Sequence, residues 1–159
     1  MTPDAAWIAV VGPGDASAAE QLAAEDAGAA IAAAGAVLVC GGLGGVMEAA
    51  CRGARSRRGL TVGILPGLDR ESANGWVSVA IPTGLGEARN ALVVRAADAL
   101  VAIGGGWGTL SEIALARKAG KPVAGVGSWD VGAGADGVRA AGGAAEAVGW
   151  ALEWAGHIT

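Results

Sequence analysis

The sequence contains no phenylalanine and no tyrosine, one histidine, two lysines and two cysteines. Without Phe and Tyr, the apolar mass must come from Ala, Val, Leu and Ile, helped by six Trp. Such a core packs through small side chains and close backbone approach. Cys40 and Cys51 cannot make a disulfide framework or a metal-ligand set, and both read as buried small hydrophobes. His157, near the C-terminal end, is expected in solvent, so no metal site is expected. There is no basic surplus either. The net charge of −4 and pI of about 4.9 disfavour nucleic acid, which needs a basic face. No run of about 18 apolar residues is free of charge or glycine clusters, which argues against a membrane-spanning helix. Residues 1–6 carry no positive n-region of a signal peptide. A cytoplasmic protein without a membrane partner is the expectation.

What is abundant is glycine, 29 of 159 residues, far above the usual ~7%. The glycines cluster after apolar runs instead of recurring every third residue, which excludes collagen. A chain of this length suits one domain, residues 1–159, and buries roughly 70% of its unfolded surface. Short apolar runs at 7–11, 36–40, 60–65, 77–81, 99–103 and 122–126 predict strands. Helices are expected over about 18–34, 46–58, 85–97, 109–119 and 138–155. Asp15 or Ser17 can cap the first of these, and Gly35 stops it. Trp150 and Trp154 fall on one face of the last. Alternating strands and helices predict an α/β Rossmann-like three-layer sandwich, with a mainly parallel sheet and helices on both faces. The strands are apolar throughout and do not alternate, so both sheet faces should be covered.

Ligands of such sheets bind beyond the carboxyl ends of the strands. Three glycine clusters fall at such ends. Gly12-Pro13-Gly14 follows the first strand and lacks the GxGxxG fingerprint. Gly41-Gly42-Leu43-Gly44-Gly45 follows the second, and Gly104-Gly105-Gly106-Trp107-Gly108-Thr109 the fifth. No Lys follows either of the latter two, so neither is a P-loop. Glycine lets backbone N–H groups face an anion, and the next helix adds about half a positive charge at its start. Candidate phosphate and ligand contacts are therefore Gly12, Gly42, Gly44, Gly45, Gly105, Gly106, Gly108 and Thr109. Thr83 and Asn90, in Pro82-Thr83-Gly84-Leu85-Gly86-Glu87-Ala88-Arg89-Asn90, complete the set. Arg89 and Arg95 are six residues apart, on roughly opposite sides of a helix, and should not share one job.

The stretches 41–54, 61–66, 83–90 and 98–112 together resemble the motif series of the Lonely Guy-type proteins, long mislabelled lysine decarboxylases. Their hallmark PGGxGTxxE is matched by GGGWGTLSE, with Gly104 where proline is usual. The resemblance implies catalytic roles for Arg89 and Glu112. It also implies cleavage of the N-glycosidic bond of a nucleoside 5′-monophosphate, a phosphoribohydrolase activity. Such cleavage builds positive charge on the sugar, which a carboxylate can stabilise, or the carboxylate can activate water. An arginine holds anionic oxygens by two parallel bonds. The Gly104 departure and the short chain look closer to a branch that includes molybdenum cofactor carrier proteins. The alternative is therefore a non-catalytic carrier, with the molybdenum cofactor as its ligand; a nucleotide sensor without turnover would use the same loops. The old decarboxylase label fails, because pyridoxal phosphate needs a Schiff-base lysine and neither Lys118 nor Lys121 is placed near the strand ends. The resemblance further implies a homodimer or higher homo-oligomer. The helix of Leu92, Val93 and Ala96 would then lie in or beside the interface.

Overall fold

The computed structural model describes residues 4–132 and 137–156. The expectation for His157 falls outside them. Strands β1 (Trp7–Val11), β2 (Val37–Cys40), β3 (Thr61–Leu65), β4 (Val79–Pro82), β5 (Ala99–Ile103), β6 (Val123–Val126) and β7 (Arg139–Ala140) form one sheet, in the order β4-β3-β2-β1-β5-β6-β7. Every pairing is parallel. The chain winds outward from β1 to β4, then returns to the centre as β5. The order therefore reverses between β1 and β5, where such sheets hold their ligands.

Helices α1 (Ala18–Ala33), α2 (Val46–Ser56) and α5 (Ala144–Gly156) cover one face, packing on Ile8, Val10, Leu38, Val101 and Ile103. Helices α3 (Asn90–Ala96) and α4 (Trp107–Lys118) cover the other, on Ala9, Val11, Val39, Leu100 and Ala102. Successive residues of β1 thus serve opposite cores, as the two-residue period of a strand requires. Small residues do what the missing aromatics would have done. A methyl group at Gly28 of α1 would run into the Ala50 carbonyl of α2, and one at Gly53 of α2 into the Glu25 carbonyl of α1. The two helices touch backbone to backbone, and Arg52 ties them further with a 3.1 Å ion pair to Glu25.

Ser17 is the cap of α1. Its Oγ accepts from the Glu20 amide at 3.1 Å, and Glu20 Oε1 accepts from the Ser17 amide at 2.9 Å. The expected helix over 85–97 is shorter. Gly84 and Gly86 take φ of +68° and +59°, which an α-helix cannot absorb. Residues Gly86–Arg89 form a 3-10 turn, and α3 starts only at Asn90. The last helix also starts later than expected, because Arg139 and Ala140 pair with β6 as an exposed strand. Trp150 and Trp154 do share a face of α5, with ring centroids 6.3 Å apart, and the Arg139 guanidinium lies 3.8 Å over the Trp150 ring. No helix among the described residues is long and apolar enough to cross a membrane.

Candidate functional site

The three glycine clusters meet at the carboxyl edge of the sheet. The turn after β1 is held to the start of α2 by the Val46 amide, which donates to the Pro13 carbonyl at 3.1 Å. A Cβ at Gly106 would lie 3.5 Å from Pro13, so the turn also borders the β5–α4 loop. Helix N-termini leave amides without intrahelical acceptors. At α1 the side chains of Ser17 and Glu20 meet that need. The caps of α2 and α4 are Gly45 and Gly106, and neither helix start has a side-chain cap.

Between these two open helix starts lies Arg89, only 9% exposed. Its Nη1 donates to Asn90 Oδ1, and its Nη2 reaches the Gly41 carbonyl at 3.5 Å. Its buried Nε has no partner. No carboxylate among the described residues pairs with it. Asn90 Nδ2 donates to Ser111 Oγ at 3.1 Å, and Ser111 Oγ donates to the Gly108 carbonyl at 2.7 Å. Arg89 is thereby anchored to both loops at once. Ser111 carries no signal in the sequence beyond its place inside the GGGWGTLSE hallmark. Arg95, on α3, is exposed, while Arg89, in the 3-10 turn before it, is buried, so the two arginines do not share one job.

Glu112 and Thr109 are buried in α4, at 7% and 2% exposed. Burial pushes the Glu112 carboxyl up to about 7, against the pull of the Arg89 charge. Thr109 Oγ1 is buried with no hydrogen-bond partner. Its nearest surroundings include Gly106, whose Cβ would lie 3.6 Å from that oxygen. Buried polar atoms are normally satisfied. Here a cationic nitrogen and a hydroxyl, both orphaned, flank the glycine loop. The two orphaned atoms make this end of α4 a candidate binding site.

The remaining predicted residues have mixed surroundings. Thr83 Oγ1 donates to the Leu65 carbonyl at 2.7 Å and accepts from the Leu85 amide at 3.2 Å, so it staples its own turn. A methyl at Gly12 would meet Ile103 O at 2.5 Å and Val46, and one at Gly42 would meet Leu65 at 2.6 Å. Gly44 and Gly108 look into space, Gly108 with nothing within 4 Å. A polar cavity of about 180 Å³ lies beside Gly14, Asp15, Gly45 and Glu48. A larger one of about 530 Å³, by Arg117, Val138, Arg139 and Trp154 near the start of β6, contains none of the predicted site residues.

Both cysteines are buried and free, with sulfurs 3.5 Å apart. The hydrogen bond between them, together with burial, raises the Cys51 thiol, and the same bond lowers that of Cys40 against the opposing effect of burial. Lys121 is far from the site. Its Nζ donates to the carbonyls of Val94, Arg95 and Ala97, at 2.9, 2.8 and 2.5 Å, closing the end of α3. Burial lowers its pKa. Among the described residues no group of three or more His, Cys, Asp and Glu could hold a metal ion.

Relatives of known structure share this arrangement of elements. The chain is 37% identical to the molybdenum cofactor binding protein of the phototrophic bacterium Rippkaea orientalis, over 94% of this chain and 96% of that one, with a TM-score of 0.86. It is 35% identical to the Moco carrier protein of Chlamydomonas reinhardtii, over 97% and 99%, with a TM-score of 0.87. An uncharacterized protein of Archaeoglobus fulgidus is 47% identical over 117 residues, 74% of this chain and 77% of that protein. The sequence model of the SLOG cluster4 family matches residues 5–139, and the chain belongs to that family, a Lonely Guy-type group that includes molybdenum cofactor carriers.

Proposed function

We propose that this protein binds and carries the molybdenum cofactor, a phosphorylated pterin that holds its metal as cargo. The observation that carries the reading is Arg89, a buried guanidinium with an orphaned Nε and no carboxylate partner. A buried charge is costly unless paired, and a phosphate is a suitable missing partner because it accepts two parallel bonds from a guanidinium. The uncapped start of α4, with Gly106, Gly108 and Thr109, adds amides, a hydroxyl and a partial positive charge. Glu112 is compatible with an anionic ligand. With its carboxyl pushed up to about 7 by burial, it repels a neighbouring phosphate less than an ordinary glutamate would. Near-full-length similarity to carriers supports the same reading.

The experiment is retention of cargo. Protein mixed with molybdenum cofactor freed from a molybdoenzyme should keep pterin and molybdenum together through gel filtration. Arg89→Ala should weaken retention by roughly ten- to a hundred-fold, the worth of charge-assisted hydrogen bonds, while remaining folded. One observation favours the hydrolase reading: Glu112 lies close enough to Arg89 to feel its charge, as a catalytic pair would. A panel of nucleoside 5′-monophosphates separates the two. Release of free base by the native protein, lost in Glu112→Gln, would replace the carrier reading with phosphoribohydrolase activity.

We also propose a homodimer formed on the α3 side of the sheet. Val93 is buried within its own chain and Ala96 partly so, so of the expected face of Leu92, Val93 and Ala96 only Leu92 is well exposed. Val79 and Ile81 of the edge strand β4 pair in register with Val62 and Ile64, and are exposed on that same side. An obligate interface buries on the order of 2,000 Å² or more. Leu92→Glu with Ile81→Glu should give a monomer in sedimentation at micromolar concentration. A native protein that is already monomeric and binds its ligand would end this proposal.

A further inference from the structure

Trp107 is the most conspicuous apolar side chain at the carboxyl edge of the sheet. It is the first residue of α4, occupies the first variable position of the GGGWGTLSE hallmark, and is 79% exposed. Water is a poor setting for an indole, and large exposed aromatics next to a cleft mark contact sites. Trp107 does not stand alone. Its ring centroid lies 5.3 Å from that of Trp129, with the planes tilted by 36°. Trp129 comes from the loop after β6 and packs on the α3–α4 core. Its Nε1 donates to the Gly106 carbonyl at 3.0 Å, and its indole lies 3.5 Å from where a Cβ of Gly105 would be.

These contacts make one unit of the glycine loop and the two indoles. Trp129 is fixed by its hydrogen bond and its packing. Trp107 rests against it and still presents most of its surface to solvent. The orphaned Thr109 Oγ1 and the open space at Gly108 are within the same first turn of α4. An anion on that turn would have an aromatic surface beside it.

We propose that Trp107, backed by Trp129, is a stacking platform for the planar heteroaromatic ring of a ligand whose phosphate sits on the β5–α4 loop. The inference rests on the phosphate-binding reading and adds the ring's place to it. The ligand class is a fused nitrogen heterocycle, pterin or purine, joined to a phosphate by a short linker. Stacking is tolerant of ring identity, because every such ring has a π face. The phosphate loop then supplies the anchor and the indole the preference for a ring over a bare phosphate.

The test uses two probes, neopterin monophosphate and glycerol 3-phosphate, which share a phosphate but not a ring. Native protein should bind the pterin more tightly and show quenched indole fluorescence. Trp107→Ala should weaken pterin phosphate by roughly ten-fold, within the usual range for loss of a stacking partner, and leave glycerol phosphate unchanged. Trp107→Phe should restore most of the difference. Equal pterin affinity in native protein and Trp107→Ala would overturn the platform and leave phosphate binding intact. No binding of either probe by the native protein would overturn both together. A Trp107 fluorescence shift that follows protein concentration, and not ligand, would show that the indole is an interface residue, and would also overturn the proposal.

Discussion

Residues 41–45 and residues 104–108 each join a parallel strand to a helix at the same edge of the sheet, yet their glycines are there for different physical reasons. In the first loop most of the glycines are small because protein surrounds them. Gly41 lies against the Arg89 guanidinium and Met47, Gly42 against Leu65, and Gly45 against the carbonyls of Pro13 and Gly14. Gly42 and Gly45 also take φ of +78° and +65°. In the second loop Gly104 has that same constraint, with φ of +72° and Glu20 against it. Gly105, Gly106 and Gly108 do not. Their missing side chains would meet only ordinary contacts at 3.5 Å, or nothing. The first loop builds the floor that holds Arg89, and the second leaves room above it. Gly104 also explains the departure from the hallmark, since proline is locked near φ of −65° and cannot take its conformation.

A β-branched residue placed in each loop should have opposite consequences. Gly45→Val places a branched side chain at positive φ, against the Gly14 carbonyl at 2.5 Å and that of Pro13. Backbone strain and overpacking together should cost about 4 kcal/mol or more, read as a large fall in the urea midpoint or as failure to fold. Gly106→Val adds the same group at an extended helix cap, φ −81° and ψ 165°. Its stability should stay within about 1 kcal/mol of native, while calorimetry should find phosphate-ligand binding abolished. If Gly106→Val unfolds the protein as Gly45→Val does, the two loops are alike after all.

Next in size is the pH dependence held in α4. Glu112 is raised from 4.5 to about 7 by burial. The folded state therefore holds a proton that the unfolded state has already lost between pH 4.5 and 7, so stability falls as pH rises through that window. The shift corresponds to about 3 kcal/mol, present in full as a penalty above pH 7. Glu112→Gln removes the penalty. It should stabilise the free protein by up to about 3 kcal/mol at pH 8 and by almost nothing at pH 4. Denaturant titrations of both proteins at the two pH values measure this. An equal difference at both would mean that Glu112 titrates as an ordinary surface carboxylate.

How much of this contrast the sequence carries depends on the kind of signal. The central strands are apolar runs closed by glycine, so the sheet follows from local pattern, while of the two cap candidates for α1, Asp15 and Ser17, the structure selects Ser17 with Glu20. The two-residue strand at Arg139–Ala140 has no apolar run to announce it. The 3-10 turn before α3 is set by two glycines whose φ no periodicity reports. The site divides the same way. Arg89, Glu112 and the loop glycines stand out as candidates in the sequence because they fall in one motif series. The burial of Arg89 was not, because it comes from Gly41, 48 residues earlier in the chain. Trp129 was equally silent, a single indole in a loop whose partner is set by how β6 lies beside β5. Nor could residue type distinguish a glycine that packs from one that leaves room.

The smallest effect tests that last distinction most finely. Gly108 is the second residue of α4, and nothing lies within 4 Å of where its Cβ would be. Glycine in a helix costs roughly 0.5–1 kcal/mol relative to alanine, through the freedom it retains when unfolded. Gly108→Ala should therefore make the free protein slightly more stable, by about 0.5 kcal/mol, less than the mid-helix value because the first turn is partly frayed. The same methyl group would stand beside amides that helix geometry leaves without intrahelical acceptors, in the space assigned to the phosphate. Affinity for neopterin monophosphate should fall even as the melting temperature rises. A packing glycine gives the opposite pairing, with stability lost before affinity. If Gly108→Ala gains stability and keeps full affinity, the open space at the start of α4 is not where the phosphate sits, and the anchor must be sought nearer Gly44.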